Sequence, residues 1–211
     1  MNKATKTAIL AALEKKYKGT TTMLHYNSPF ELLCAVILSA QCTDERVNKV
    51  TARIFPRLNT PEKMGALTQA QMEAEIHDCG LFRAKAKNLL GMCHMLLEKY
   101  DGELPKDIPS LRELPGVGQK TANVVGSIVY HIPAIAVDTH VFRVSHRLGL
   151  AKGADPLETE HELQKVIPKE NWSDAHHWLI WHGRLVCKAR KPLCKGCVCV
   201  DLCPYKDKNF E

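Results

Sequence analysis

A lysine and an aspartate stand at two expected helix starts in the 211-residue chain, and five cysteines crowd its last quarter. Lys120 follows Leu114-Pro115-Gly116-Val117-Gly118-Gln119 and opens, with Thr121-Ala122, a helix expected over about Gln119 to Tyr130. A lysine is by default an exposed solubiliser. At a helix N-terminus the backbone dipole is positive, which disfavours an ammonium and favours the free amine. A free amine is what a Schiff-base nucleophile requires. Asp138, in Val137-Asp138-Thr139-His140, precedes a helix expected over Val141 to Leu150. Capping that helix is its ordinary role. A carboxylate near an amine could also balance positive charge developing on a sugar, much as paired carboxylates do in glycosidases.

The turn before Lys120 holds two glycines, Gly116 and Gly118. Glycine permits backbone torsions closed to other residues and lets another backbone approach closely. The N–H groups of such a turn and of the helix after it form an anion site suited to a DNA phosphate. Gly-x-Gly alone usually marks a mere turn. Flanked by Leu-Pro and Lys-Thr-Ala, it resembles the helix-hairpin-helix element that grips one nucleic-acid strand.

Cys187, Cys194, Cys197 and Cys203 follow a C-x6-C-x2-C-x5-C pattern, with Cys199 as a fifth, odd member. Clustered cysteines without a secretion signal read as a metal site before disulfides. Structural zinc sites usually come as two close pairs, and only Cys194 and Cys197 form one here. The loose spacing suits a cubane iron–sulfur cluster at least as well, so zinc stays open on chemistry alone. Five basic residues, Arg184, Lys188, Arg190, Lys191 and Lys195, thread the same stretch without an acid. A charge run is normally a solvated face. Between metal-binding cysteines it reads as a pinned basic loop. The other cysteines, Cys34, Cys42, Cys79 and Cys93, read as small buried hydrophobes.

The elements that must position these groups follow helical period. Ile9, Leu13 and Tyr17 mark an amphipathic first helix. Ser28-Pro29 opens an apolar helix, Phe30 to Ala40, that should be central. Thr60-Pro61 repeats the start signal. Thr68 with Gln71 and Ser110 with Glu113 fit capping boxes. Gly80 precedes a long helix from about Arg83 to Tyr100. Asp155-Pro156 and Ser173 begin two more. Only Ile132 to Val137 could pass for a strand. The fold class is all-α, about ten helices.

Composition bounds the rest. Lys and Arg total 29 against 23 Asp and Glu, a net charge of +6 that permits a polyanionic partner. The longest apolar run, Leu32 to Leu38, is far short of a membrane span. The first residues open no signal-peptide stretch, so a cytoplasmic, nucleoid-associated location is expected.

Leu-Pro-Gly-Val-Gly-Gln-Lys-Thr-Ala, Val-Asp-Thr-His-Val and the four-cysteine tail occur in one order. Together they closely resemble the bacterial endonuclease III branch of the helix-hairpin-helix DNA glycosylase superfamily. The resemblance runs nearly end to end. It implies two helical domains flanking a DNA-binding cleft. One, about residues 22–132, would be a six-helix domain with the hairpin at about 108–130. The other would join residues 1–21 to 133–211 and hold a 4Fe-4S cluster in the loop 187–203. The resemblance makes Lys120 the nucleophile at C1′ of the damaged nucleotide, with Asp138 on the facing wall. Cys187, Cys194, Cys197 and Cys203 would be the cluster ligands, and Cys199 a bystander. The partner would be double-stranded DNA bearing oxidised or ring-saturated pyrimidines or abasic sites, with no membrane and no obligate protein partner. Binding would involve Gly116, Gly118, Thr121, His140 and the five basic residues. Gln41 would fill the hole left by the flipped base, and Leu81 would wedge the opposite strand. The plainer alternatives are a helix-end polar residue for Gln41 and a packed loop anchor for Leu81. Two rivals differ in chemistry. The adenine glycosylase branch lacks a lysine at the position of Lys120. A non-catalytic DNA-binding module needs neither Lys120 nor Asp138.

Overall fold

Start signals along the chain become helices where a side chain or a proline can satisfy or remove the first N–H groups. The computed structural model describes residues 1–211, and every regular element in it is helical. Contacts divide the chain into two units.

The unit Met23–Ile132 contains α2 (Pro29–Ser39), α3 (Asp44–Ile54), α4 (Pro61–Gly65), α5 (Gln69–Ile76), α6 (Phe82–Lys99), α7 (Ile108–Glu113) and α8 (Gln119–Tyr130). Helix α2 is buried from Phe30 to Leu38 and contacts α3, α6 and α8. Its apolar circumference makes that central position the only one that keeps it out of water. Ser28 caps it, accepting from the Glu31 N–H, while the Glu31 carboxylate accepts the Asn27 N–H at 2.6 Å. Glu31 is thus buried yet partnered. Seven helices stand where six were expected, and α3, capped by Thr43, is the one absent from the start signals above.

The expected box of Ser110 with Glu113 does not form. Asp107 caps α7 instead, accepting from the Ser110 N–H at 2.9 Å. Asp107-Ile108-Pro109 puts a carboxylate cap before a first-turn proline, a stronger start three residues earlier. The box of Thr68 and Gln71 is present on α5.

The other unit joins Met1–Thr22 to Pro133–Glu211. It holds α1 (Lys3–Tyr17), α9 (Thr139–Arg147), α10 (Pro156–Val166), a 3-10 turn at Lys169–Asn171, α11 (Trp172–Leu185) and a second 3-10 turn at Cys194–Gly196. Ile9, Leu13 and Tyr17 of α1 pack on α11, which also carries α9. Asp155 caps α10 as expected, whereas α11 starts at Trp172, one residue before the Ser173 signal, on the tail of the 3-10 turn. Ile132 to Val137 forms no strand, and the Ile132 N–H donates to the Gly126 carbonyl at 3.2 Å. No helix is long and apolar enough to cross a membrane.

Candidate nucleic-acid interface and cysteine loop

Helices α7 and α8 form the hairpin, and its turn is held from inside. Leu114 and Val117 are buried, and the Val117 N–H donates to the Leu114 carbonyl at 3.0 Å. The two glycines have different reasons to be there. Gly116 has φ +80°, and a Cβ on it would lie 2.8 Å from Cβ of Asn88. Gly118 has φ −86°, open to any residue, and nothing lies within 4 Å of its missing Cβ. It is the N-cap of α8 and supplies no side-chain cap. The first N–H groups of α8 therefore face an open position with room for another backbone, the arrangement an anion takes at a helix N-terminus.

Lys120 is exposed as the second residue of α8, one residue from half-buried Thr121. Asp138 is half-buried and caps α9. Its Oδ1 accepts both the His140 and the Val141 N–H at 2.8 Å, which leaves Oδ2 free of intrachain hydrogen bonds. The cap and a second role for the carboxylate are therefore compatible. His140 is half-buried, with Arg143 Nη2 at 3.2 Å from its Nδ1. Burial pushes its imidazole below the ordinary range, opposed by Asp138 and assisted by Arg143 and Arg184. The neutral ring is favoured, with Nδ1 accepting from the guanidinium.

Gln41 and Leu81 occupy neighbouring turns of one unit. The carbonyl of Gln41 lies 3.4 Å from the Cβ position of Gly80, the residue before Leu81. Both have left-handed backbones, φ 51° and 59°. Leu81 is also 59 % exposed, so it is no packed loop anchor. A large residue other than glycine is strained in that conformation, and Leu81 also turns an apolar side chain to water.

Cys187, Cys194, Cys197 and Cys203 line one cavity, together with Arg147 and Lys208. Cys199 does not. It is wholly buried in the apolar core of its unit. No three ligand-type side chains converge on a single-ion position. Four cysteines lining one cavity are a donor set that a structural metal or an iron–sulfur group could accept. Hydrogen bonds from Cys199 and His182 hold the Cys197 thiol well below its ordinary range, against the opposing effect of burial. The donor set is thus partly poised as thiolate.

Sequence reasoning missed what fastens this loop. Arg143 and Arg147 lie one turn apart on α9. Arg143 donates to the carbonyls of Gly183 and Cys187 at 2.9 and 3.1 Å. Arg147 donates to those of Lys188 and Ala189 at 2.7 and 3.0 Å, and stacks on Tyr205 at 4.5 Å. Their i,i+4 spacing was the available signal. A second missed link runs from the Tyr17 hydroxyl to His182 Nδ1 at 3.0 Å and from His182 Nε2 to Cys197 Sγ at 3.5 Å. Lys188, Arg190, Lys191 and Lys195 are exposed on the loop, while Arg184 sits half-buried in the last turn of α11.

The model of the HhH-GPD superfamily base excision DNA repair proteins matches residues 34–169. Endonuclease III of Haemophilus influenzae is 50% identical over 208 residues, covering 99% of each chain. The chain belongs to this base excision repair superfamily, in its endonuclease III family. Endonuclease III of Escherichia coli K12 is 49% identical, again over 99% of each chain. Among solved structures, a trapped endonuclease III–DNA covalent intermediate superposes with a TM-score of 0.93 at 48% identity, covering 97% of this chain and 96% of that one. The all-α, two-unit architecture is therefore that of the endonuclease III family.

Proposed function

We propose that the protein removes oxidised or ring-saturated pyrimidines from duplex DNA through a Schiff base on Lys120, then cuts the strand 3′ to the abasic site by β-elimination. One observation carries this reading. An exposed lysine opens α8 directly after a turn that lacks a side-chain cap, in a chain 48% identical to an endonuclease III trapped covalently on DNA.

The chemistry assigns each group a task. The Lys120 amine attacks C1′ and the base leaves. The free Oδ2 of Asp138 stabilises the cationic sugar and assists proton transfer, while Oδ1 keeps α9 in place. The C1′–O4′ bond then breaks, opening the sugar ring to the iminium, which acidifies the C2′ proton, and loss of that proton expels the 3′ phosphate. Gly116, Gly118 and Thr121 hold one phosphate, with Arg184, Lys188, Arg190, Lys191, Lys195 and His140 contacting the backbone elsewhere. Gln41 fills the vacated stack and Leu81 wedges the opposite strand. Cys187, Cys194, Cys197 and Cys203 would hold a 4Fe-4S cluster, whose contribution is to pin the basic loop. The guanidinium of Arg147 and the Lys208 ammonium beside that cavity offset its negative charge. A cytoplasmic location belongs to the same reading.

Borohydride reduces a Schiff base to a stable amine, so it tests the nucleophile directly. Incubated with an abasic duplex and borohydride, the protein should form a covalent adduct whose peptide map places DNA on Lys120. Lys120→Ala should bind DNA yet lose both trapping and cleavage. Asp138→Asn should slow base release while a preformed abasic site is still trapped. An adduct at near wild-type yield from Lys120→Ala overturns the assignment.

A further inference from the structure

Four cysteines lie outside the cysteine loop, and two of them flank one close approach of the backbone. Cys42 is half-buried just after α2, and Cys79 is wholly buried just after α5. The backbones of the two turns touch where Gly80 faces the Gln41 carbonyl, at 3.4 Å from the glycine's Cβ position. Cys42 and Cys79 flank that contact, one on each segment, and both pack into the same apolar core. Lys85, only 4 % exposed, lies close enough to act on both sulfurs and donates to the Leu38 carbonyl at 2.8 Å. Ordinary packing accounts for a buried cysteine. It does not require two cysteines flanking one backbone contact between the two left-handed residues Gln41 and Leu81, with an ammonium beside them.

We propose that Cys42 and Cys79 form a dithiol modification site, closed to a disulfide by exchange with a low-molecular-weight disulfide such as oxidised glutathione, and that closure locks the Gln41 and Leu81 turns together. The more accessible Cys42 attacks first, as thiolate, on one sulfur of the glutathione disulfide. A mixed disulfide forms and one glutathione thiolate leaves. Cys79 then gives up its proton and attacks the Cys42 sulfur, expelling the second glutathione. Two protein thiols are oxidised and one glutathione disulfide is reduced to two thiols. Burial pushes the Cys79 thiol up, against the pull of Lys85, which fits its role as the second, resolving sulfur. Intracellular disulfides of this kind are transient and redox-sensing. The consequence for lesions rests on the proposed function, in which both turns enter DNA and a cross-link fixes their separation.

The reduced, cluster-bearing protein is treated with oxidised glutathione, alkylated under denaturing conditions and peptide-mapped. The expected product is a peptide pair joined through Cys42 and Cys79, lighter by two hydrogens than the two thiol forms together and reversed by dithiothreitol. Cys42→Ser and Cys79→Ser should each abolish it. A persistent glutathione adduct on Cys42 beside a free Cys79, or no change at either, overturns the site. In single-turnover base release from a thymine glycol duplex, the oxidised protein should be slower by about fivefold or more and recover on reduction. Cys79→Ser should ignore the same treatment. A cross-linked protein of unchanged rate overturns the locking. Should the reduced protein release no base at all, the proposed function fails, while the peptide map still decides the dithiol site.

Discussion

In the proposed function the hairpin and the cysteine loop are two ways of presenting positive character to a phosphate, built at opposite extremes of locality. The hairpin uses backbone N–H groups, needs no charged side chain, and is fixed by Leu114, Val117 and a left-handed Gly116 within a few residues. The cysteine loop uses charged side chains on a segment with little regular structure, only a three-residue 3-10 turn. It is held by distant groups, Arg143 and Arg147 on α9 and an apolar Cys199 in the core. A backbone device tolerates loss of side chains but not of backbone geometry. A side-chain device behaves the other way round.

The glycine pair breaks this comparison most sharply. Gly116→Ala should cost about 1–2 kcal/mol for the left-handed backbone and about 1–3 kcal/mol more for the collision with Asn88. Gly118→Ala meets nothing and adopts an ordinary φ, so stability should shift by well under 1 kcal/mol. Its effect should fall on DNA affinity, because the added methyl occupies the space a phosphate needs. Urea unfolding and binding titrations on the two variants should therefore give opposite rankings. Equal losses of stability would mean that both glycines serve the turn alone.

Within the cysteine loop, fastening and contact should separate in the same manner. Arg147→Ala removes two charge-assisted hydrogen bonds and the Tyr205 stack, so its unit should lose about 1.5–3 kcal/mol. Lys191→Ala, at an exposed position, should leave stability within about 0.5 kcal/mol. It should instead weaken damaged and undamaged DNA alike and flatten the plot of log K against log salt by about 0.9. If Lys191→Ala changed only the preference among lesions, the loop would be reading bases.

The same contrast explains what the sequence made legible. The hairpin helices could be placed from Leu114-Pro115, the glycines and the period of α8, because every determinant is local. Asp138 could be read as a cap for the same reason. Asp107 displaced Ser110 as the cap of α7 because two start signals overlapped and the carboxylate-proline pair won. The contact of Gln41 with Gly80, the Arg147 clamp and the Cys42–Cys79 pair join segments some 40 residues apart in sequence. Such pairings depend on how helices stack, which no local pattern encodes. The four cysteines were visible as a spacing, yet the distinction between the cavity-lining set and the buried Cys199 depended on where the core lies.

The smallest effect concerns pH, and it too should fall on one side only. The two histidines whose charged forms burial disfavours, His140 and His177, both lie in the unit that carries the cysteine loop. His177 is 6 % exposed, and burial lowers its pKa against the opposing pull of Asp174. As pH falls through the ordinary histidine range, the unfolded chain binds a proton before the folded one does. Stability is thus fully present above that range and is lost as pH falls toward the depressed folded value. All three tryptophans, Trp172, Trp178 and Trp181, sit on α11, so indole emission follows this unit and not the hairpin unit. Urea midpoints read by that emission should drop from pH 7.5 to pH 5.5, within the range where histidine titrates. His177→Gln, which cannot take up the proton, should flatten the drop whatever it does to the absolute midpoint. If the slope with pH were the same in His177→Gln, His140, whose partner Arg143 fastens the loop, would be the next source to test, and His140→Gln would then be the variant expected to flatten it.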